Sequence, residues 1–175
     1  MILADKIAKH LEERGITHVF VYAGGTVSFL LDAIERNTNI KIIVCRHEQA
    51  CAFAASAFSK SGNGLGCCIS TSGPGALNLV TGIADAFYDY TPMLAIVGQC
   101  GSSALDKYIN ISCRQNGFQY TNVVDITKSI TVTNIEIEND IDIIEVVDDI
   151  ISDAYLFNGP VLISIPIDIQ RKEII

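Results

Sequence analysis

Basic residues are scarce in this 175-residue chain: 12 Lys and Arg stand against 20 Asp and Glu, a formal charge of −8. They form no cluster or stripe, and phosphate neutralisation needs one, so the balance speaks against nucleic acid and for small molecules or proteins as partners. Long apolar runs are lacking as well. Mean hydropathy is +0.35, yet the apolar residues come in short blocks cut by Gly, Ser, Asp or Asn, far below the roughly 18 residues that span a bilayer. The opening stretch Met1-Ile2-Leu3-Ala4-Asp5-Lys6 carries its charges inside the would-be apolar segment and offers no small-residue cleavage site, so no secretory signal is expected. Proline is rare, 4 residues against 13 glycines, and with 49% apolar and 18% charged residues the composition builds a core and excludes disorder. The length suits one domain over residues 1–175. The 6 cysteines, at 45, 51, 67, 68, 100 and 113, contain no CxxC pair. Lying mostly in apolar segments, they read as reduced, buried thiols of a cytoplasmic protein, not as disulfides or zinc ligands.

What is present is an alternation of short β-rich runs and helical stripes. Leu3 to Arg14 repeats apolar residues at helical spacing and stops at Gly15. His18 to Tyr22 reads as a strand, closed by Gly24-Gly25, with a helix through Val27, Leu30, Leu31 and Ile34. The pattern recurs as Ile40 to Cys45 then Glu48 to Ser59, Leu65 to Ile69 then Pro74 to Phe87, and Met93 to Val97 before a long polar segment. A strand at Ile130 to Thr133, an acidic helix from about Ile141 to Phe157 with its carboxylates outward, and a strand at Val161 to Ile165 complete the series. Apolar strands without strict alternation, separated by helices, predict an α/β domain: a doubly wound, mainly parallel sheet with helices on both faces. Ligands of such sheets sit beyond the carboxyl ends of the strands, so the turns 23–26, 46–48, 70–75 and 98–101 should converge on one rim.

Two of these turns hold chemistry. Thr71-Ser72-Gly73-Pro74-Gly75-Ala76-Leu77-Asn78 joins an apolar strand to an apolar helix; its glycines permit close backbone approach, and its helix N-terminus is either a ligand site or a plain tight turn. Neither GxGxxG nor GxxxxGK[ST] occurs, which counts against a nucleotide-binding domain. Arg46-His47-Glu48-Gln49-Ala50-Cys51 follows the second strand, and Cys51 stands where HExxH would need His. Glu48 is there either as a catalytic carboxylate or as a favourable charge in a first helical turn. No nucleophilic triad suggests itself around the remaining histidines. The Ala- and Ser-rich helix from Gln49 to Ser59 permits close helix approach, in the core or at an interface.

Taken together, Tyr22-Ala23-Gly24-Gly25, Arg46-His47-Glu48-Gln49, Thr71-Ser72-Gly73-Pro74-Gly75 with Asn78-Leu79-Val80-Thr81-Gly82-Ile83-Ala84-Asp85-Ala86, Gly98-Gln99 and Gly159-Pro160 to Pro166 resemble the pyrimidine-binding domain of thiamine diphosphate enzymes, nearest to the acetolactate synthases. The resemblance covers essentially the whole chain and implies the thiamine diphosphate-binding fold. It further implies that Glu48 is the catalytic glutamate, bonded to the aminopyrimidine ring so that the cofactor's thiazolium carbon loses its proton and becomes a nucleophilic ylid. Such a carboxyl needs a low local dielectric, for which Cys45, Ala50 and Phe53 are the expected apolar surroundings. The ylid would add to a 2-oxo acid, carbon dioxide would leave, and decarboxylation or carboligation would follow. By the same resemblance Thr71, Pro74, Gly75 and Asn78 line the pyrimidine pocket, Gly24 and Gly25 bring backbone to the reacting centre, and Phe118 and Gln119 stand on the substrate side. Tyr120 replaces a usual acidic residue and Ala23 a usual proline, so the resemblance carries the cofactor chemistry further than the acetolactate substrate.

The chain contains no Gly-Asp-Gly followed at a distance by Asn-Asn, the family's motif for Mg2+ and diphosphate. The expectation is therefore an N-terminal domain excised from a larger enzyme, inactive alone, with metal and diphosphate bound by a domain that the chain lacks. The alternatives are a natural subunit of a two-chain thiamine diphosphate decarboxylase and a non-catalytic α/β binding module. In this family the active site lies between chains, which implies a homodimer formed through the helices flanking Glu48 and Pro74.

Overall fold

In the computed structural model of the chain, residues 1–105, 115, 117–138 and 142–174 are described. The apolar stripe of the first segment becomes α1 (Leu3–Glu13), whose Ala4, Ile7, Ala8 and Leu11 are fully buried. Its first turn is held by Asp5, which accepts from the Ile2 N–H at 3.0 Å. There follow β1 (His18–Val21), a 3-10 turn over Gly25–Val27, α2 (Ser28–Asn37), β2 (Lys41–Val44), α3 (Glu48–Lys60), β3 (Gly66–Ser70), α4 (Pro74–Tyr88) and β4 (Met93–Gln99). Beyond them come α5 (Val123–Thr127), β5 (Thr133–Glu136), α6 (Ile143–Leu156), β6 (Pro160–Pro166) and α7 (Ile167–Gln170).

The six strands pair in the order β2-β1-β3-β4-β6-β5, every pair parallel. Successive residues of a strand face opposite ways, so Cys67 and Ile69 of β3 join the core under α1, α2 and α6, while Cys68 between them joins the core under α3, α4 and α5. The expected doubly wound α/β sheet is thus present, with helices on both faces. Central strands β3, β4 and β6 are buried along their whole length. The edge strand β2 is different: Ile43 is partly exposed and Val44 is 70% exposed, because an outer strand has a neighbour on one side alone.

Two stretches depart from the sequence expectation. The strand sought at Ile130 to Thr133 lies at Thr133–Glu136. Residues before it are still leaving α5: Ile130 N–H bonds the Thr127 carbonyl, and the Thr131 hydroxyl bonds the same carbonyl. Helix α5 itself was hidden in the polar segment, since it has five residues and is held by an Asn122 cap on the Asp125 N–H. No helix among the described residues is long and apolar enough to cross a membrane.

Candidate active site

The chain leaves β1 for α2 on one face of the sheet and β3 for α4 on the other, although β1 and β3 are neighbours. Divergent connections open a crevice at the carboxyl ends of such a pair. Here the two turns are buttoned together across its floor. Thr26 and Thr71 share a hydroxyl–hydroxyl bond of 2.8 Å, and Ser72 N–H donates to the Thr26 hydroxyl at 3.0 Å. Gly24 leaves its side-chain space to Thr71, whose Cβ lies 2.4 Å from where a Gly24 Cβ would stand. A Cβ on Gly25 would meet nothing within 4 Å, so that glycine faces open space. The end of β4 joins the same rim: Gly98 packs on the Thr26 carbonyl, which also accepts from Gln170 Nε2 at 2.8 Å. Ser102 donates through its N–H and hydroxyl to Asp168, at 2.9 and 2.6 Å. Burial alone would raise the Asp168 carboxyl, but these bonds hold it below the ordinary carboxylate value.

Glu48 opens α3. His47 is in extended conformation as its N-cap, with Nδ1 accepting from the Gln49 N–H at 3.2 Å. The Glu48 side chain turns inward and is 6% exposed. Its Oε2 accepts from Asn78 Nδ2 at 2.9 Å. Its Oε1 comes within 3.1 Å of the position a Gly75 Cβ would take, and among the described residues nothing donates to it. The missing side chain of Gly75 is what lets α4 begin against this carboxylate, since the same Cβ would also press on Thr71 and Ser70. Gly73 supplies the turn with a φ of +62° and carries Gln119 on its bare side, the Gln119 carbonyl lying 2.5 Å from a would-be Cβ.

The residues singled out from sequence therefore fall into three groups. Gly24, Glu48, Thr71, Gly75 and Asn78 form one contiguous cluster. Gly25 and Pro74 border it on the exposed rim. Gln119 packs over the proline-bearing turn, with Phe118 beside it 76% exposed. Of the three residues expected to shield Glu48, Ala50 and Phe53 are exposed and Cys45 is partly buried. On a helix the positions that share a face with residue 48 are three and four further on, and Cys51 and Ala52, both fully buried, fill that place. The Ala-rich helix proves to pack within the fold: Gly82 of α4 meets Ala52 of α3 at backbone distance. Thr26, Gln170 and Asp168 were not found from sequence. Thr26 has the one local signal, its position directly after Gly24-Gly25.

Residues 1–126 match the family of the thiamine pyrophosphate enzyme N-terminal TPP binding domain. Acetolactate synthase 1 of Zea mays is 40% identical over 170 residues, and the chloroplastic acetolactate synthase of Arabidopsis thaliana 37% identical over 174. Each alignment takes in 97% of this chain, but the chain spans about a quarter of the relatives' length, 25% and 24% respectively. The order and spacing of the clustered turns agree with that kinship, and the chain belongs to the thiamine pyrophosphate enzymes, as their N-terminal TPP binding domain.

Proposed function

We propose that this chain forms the pyrimidine half of a thiamine diphosphate site and that Glu48 is its proton-holding residue, in an enzyme that decarboxylates or ligates 2-oxo acids. The observation that carries this is the buried carboxylate with one oxygen engaged by Asn78 and the other facing the bare Cα of Gly75. Gly75 lets the start of α4 close on the carboxylate, and Oε1, to which no described residue donates, would share a proton with a ring nitrogen of the cofactor. Asn78 donates to Oε2 and so helps fix the direction in which Oε1 points. Cys51 and Ala52 exclude water from beneath, which strengthens a hydrogen bond made there. When bound, the cofactor supplies a nucleophilic carbon for the substrate carbonyl and an electron sink as carbon dioxide departs.

Thr71, Pro74 and the Gly24-Gly25 turn would border the ring, and Phe118 and Gln119 would stand toward the substrate. Mg2+ and the diphosphate would be held by another domain, of this or another chain; among the described residues no group of three His, Cys, Asp or Glu could hold a metal ion. Outward-facing Phe53 and Leu77, on the two helices that carry Glu48 and Pro74, support assembly as a homodimer through this face. The thiol content favours a reducing compartment, which we take as the cytoplasm, whereas the plant relatives are named as chloroplastic.

Glu48→Gln in the complete enzyme is expected to slow exchange of the cofactor's thiazolium proton by about a hundredfold or more. Exchange at near-normal rate, followed by NMR in heavy water, refutes the assignment.

A further inference from the structure

Three thiols lie against the inner side of the Glu48 cluster. Cys51 follows Glu48 by one turn on the same face of α3, is fully buried, and donates through Sγ to the His47 carbonyl at 3.5 Å. Around it stand the thiols of Cys45 and Cys68 and the Glu48 carboxylate, and Cys45 packs against the buried cluster that holds both Cys51 and Cys68. Cys45 comes directly after β2, still on the ladder through its N–H to the Val21 carbonyl at 2.8 Å. It is half-buried and lines an open groove of about 440 Å³ with Tyr22, Val44 and Arg46. A half-buried thiol thus packs beside a buried one, and the segment between them carries His47 and Glu48.

We propose that Cys45 and Cys51 are an oxidisable pair, and that their disulfide, formed by a peroxide, reversibly disables the Glu48 site; the second half rests on the function proposed above. Sheet register excludes the third thiol as the bridge partner. Cys68 is on β3, two strands from β2, and two strand spacings of about 4.8 Å each exceed the roughly 7 Å between α-carbons that a disulfide tolerates. Cys45, half-buried and bordering the open groove, reacts first. The O–O bond of the peroxide breaks, one oxygen joins Sγ as a sulfenic acid, and the other leaves as water or alcohol. The Cys51 sulfur then attacks that of Cys45; the S–S bond forms, the S–O bond breaks, and the hydroxyl departs as water with the Cys51 proton. Two thiols lose two electrons and the peroxide gains them. Burial pushes the Cys51 thiol up, which slows the second step and also makes Cys51 a slow leaving thiolate when a reducing thiol attacks Cys45.

The closure has a mechanical consequence. Cys51 sits in a helix packed hard on α4, so the movement needed to bring the sulfurs to about 2.05 Å falls on Cys45 and the Arg46-His47 turn. The Cys51 to His47 hydrogen bond is lost with the thiol proton, and the N-cap that sets the start of α3, and with it Glu48, is displaced.

The test is hydrogen peroxide treatment of the intact protein, followed by non-reducing trypsin digestion and mass spectrometry. Cleavage after Lys41, Arg46 and Lys60 puts Cys45 and Cys51 on separate peptides, each with a single cysteine. The expected product is residues 42–46 joined to residues 47–60, two hydrogen masses lighter than their sum. In the complete enzyme, thiamine diphosphate affinity, by calorimetry, should fall about tenfold or more and return with dithiothreitol. Cys45→Ser, and Cys51→Ala as a second variant, should show neither change. Cysteines that stay open to alkylation, a sulfinic acid on Cys45 without the bridge, or a bridge that leaves affinity unaltered overturns the proposal. A complete enzyme, diphosphate-binding domain included, that binds no thiamine diphosphate even when reduced refutes the functional reading instead, and the peptide linkage is then judged by itself.

Discussion

At the scale of single residues, the two glycines of the first turn separate packing from function. Gly24 is spoken for by Thr71, so Gly24→Ala should cost about 1–3 kcal/mol through overpacking. Gly25 borders open space, so Gly25→Ala should change stability by no more than about 0.5 kcal/mol. Urea denaturation of the two variants measures the difference, and equal losses would mean that the turn is packed otherwise. If the open side of Gly25 is where a ligand rests, its alanine variant should weaken thiamine diphosphate binding while leaving the urea midpoint in place. Glu48, Gly75 and Asn78 could be read from the sequence because they sit in two compact motifs at the starts of helices. Thr26 and Gln170 could not. Their hydrogen bonds reach partners 45 and 144 residues away, and a hydroxyl or amide whose partner is so remote leaves no local pattern.

Among the elements, α1 shows how one carboxylate ties two helices. Asp5 accepts from the Ile2 N–H, from Arg36 at 3.1 Å and from Asn37 at 2.8 Å. Burial works to raise its pKa, but the three donors together hold it below the ordinary 3.8. A carboxyl lowered on folding adds stability that is fully present above its unfolded value and is lost as pH falls through the folded one. Between about pH 4 and pH 2, the wild type should therefore lose melting temperature more steeply than Asp5→Asn; parallel curves would show that the ionised form is not favoured. Periodicity disclosed α1, α2, α3, α4 and α6 because each buries an apolar stripe over ten residues or more. It missed α5 and α7, which have five and four residues: at that length one turn of apolar spacing cannot be told from a strand or a loop, and tertiary contacts decide.

The whole molecule presents an outer face that the fold alone does not explain. Phe53 of α3 is 39% exposed and Leu77 of α4 is 40% exposed, on helices whose inner faces are filled with Ala and Gly. If that face joins two copies, Leu77→Asp should convert a dimer to a monomer in sedimentation velocity while far-ultraviolet circular dichroism stays unchanged; a dimer that persists places the interface elsewhere. The parallel sheet was legible because its central strands are apolar on both sides, whereas strand order and the hydroxyl clasp at its centre depend on pairings no single segment encodes. Strand β2 ends that sheet with an amide rail that no described strand meets, two outward aliphatic side chains and one charge, Lys41, to guard it. Bare borders of this kind template the addition of further chains. A second lysine on this border, Val44→Lys, is accordingly expected to lower light scattering of the concentrated chain; unchanged scattering would place any self-association elsewhere.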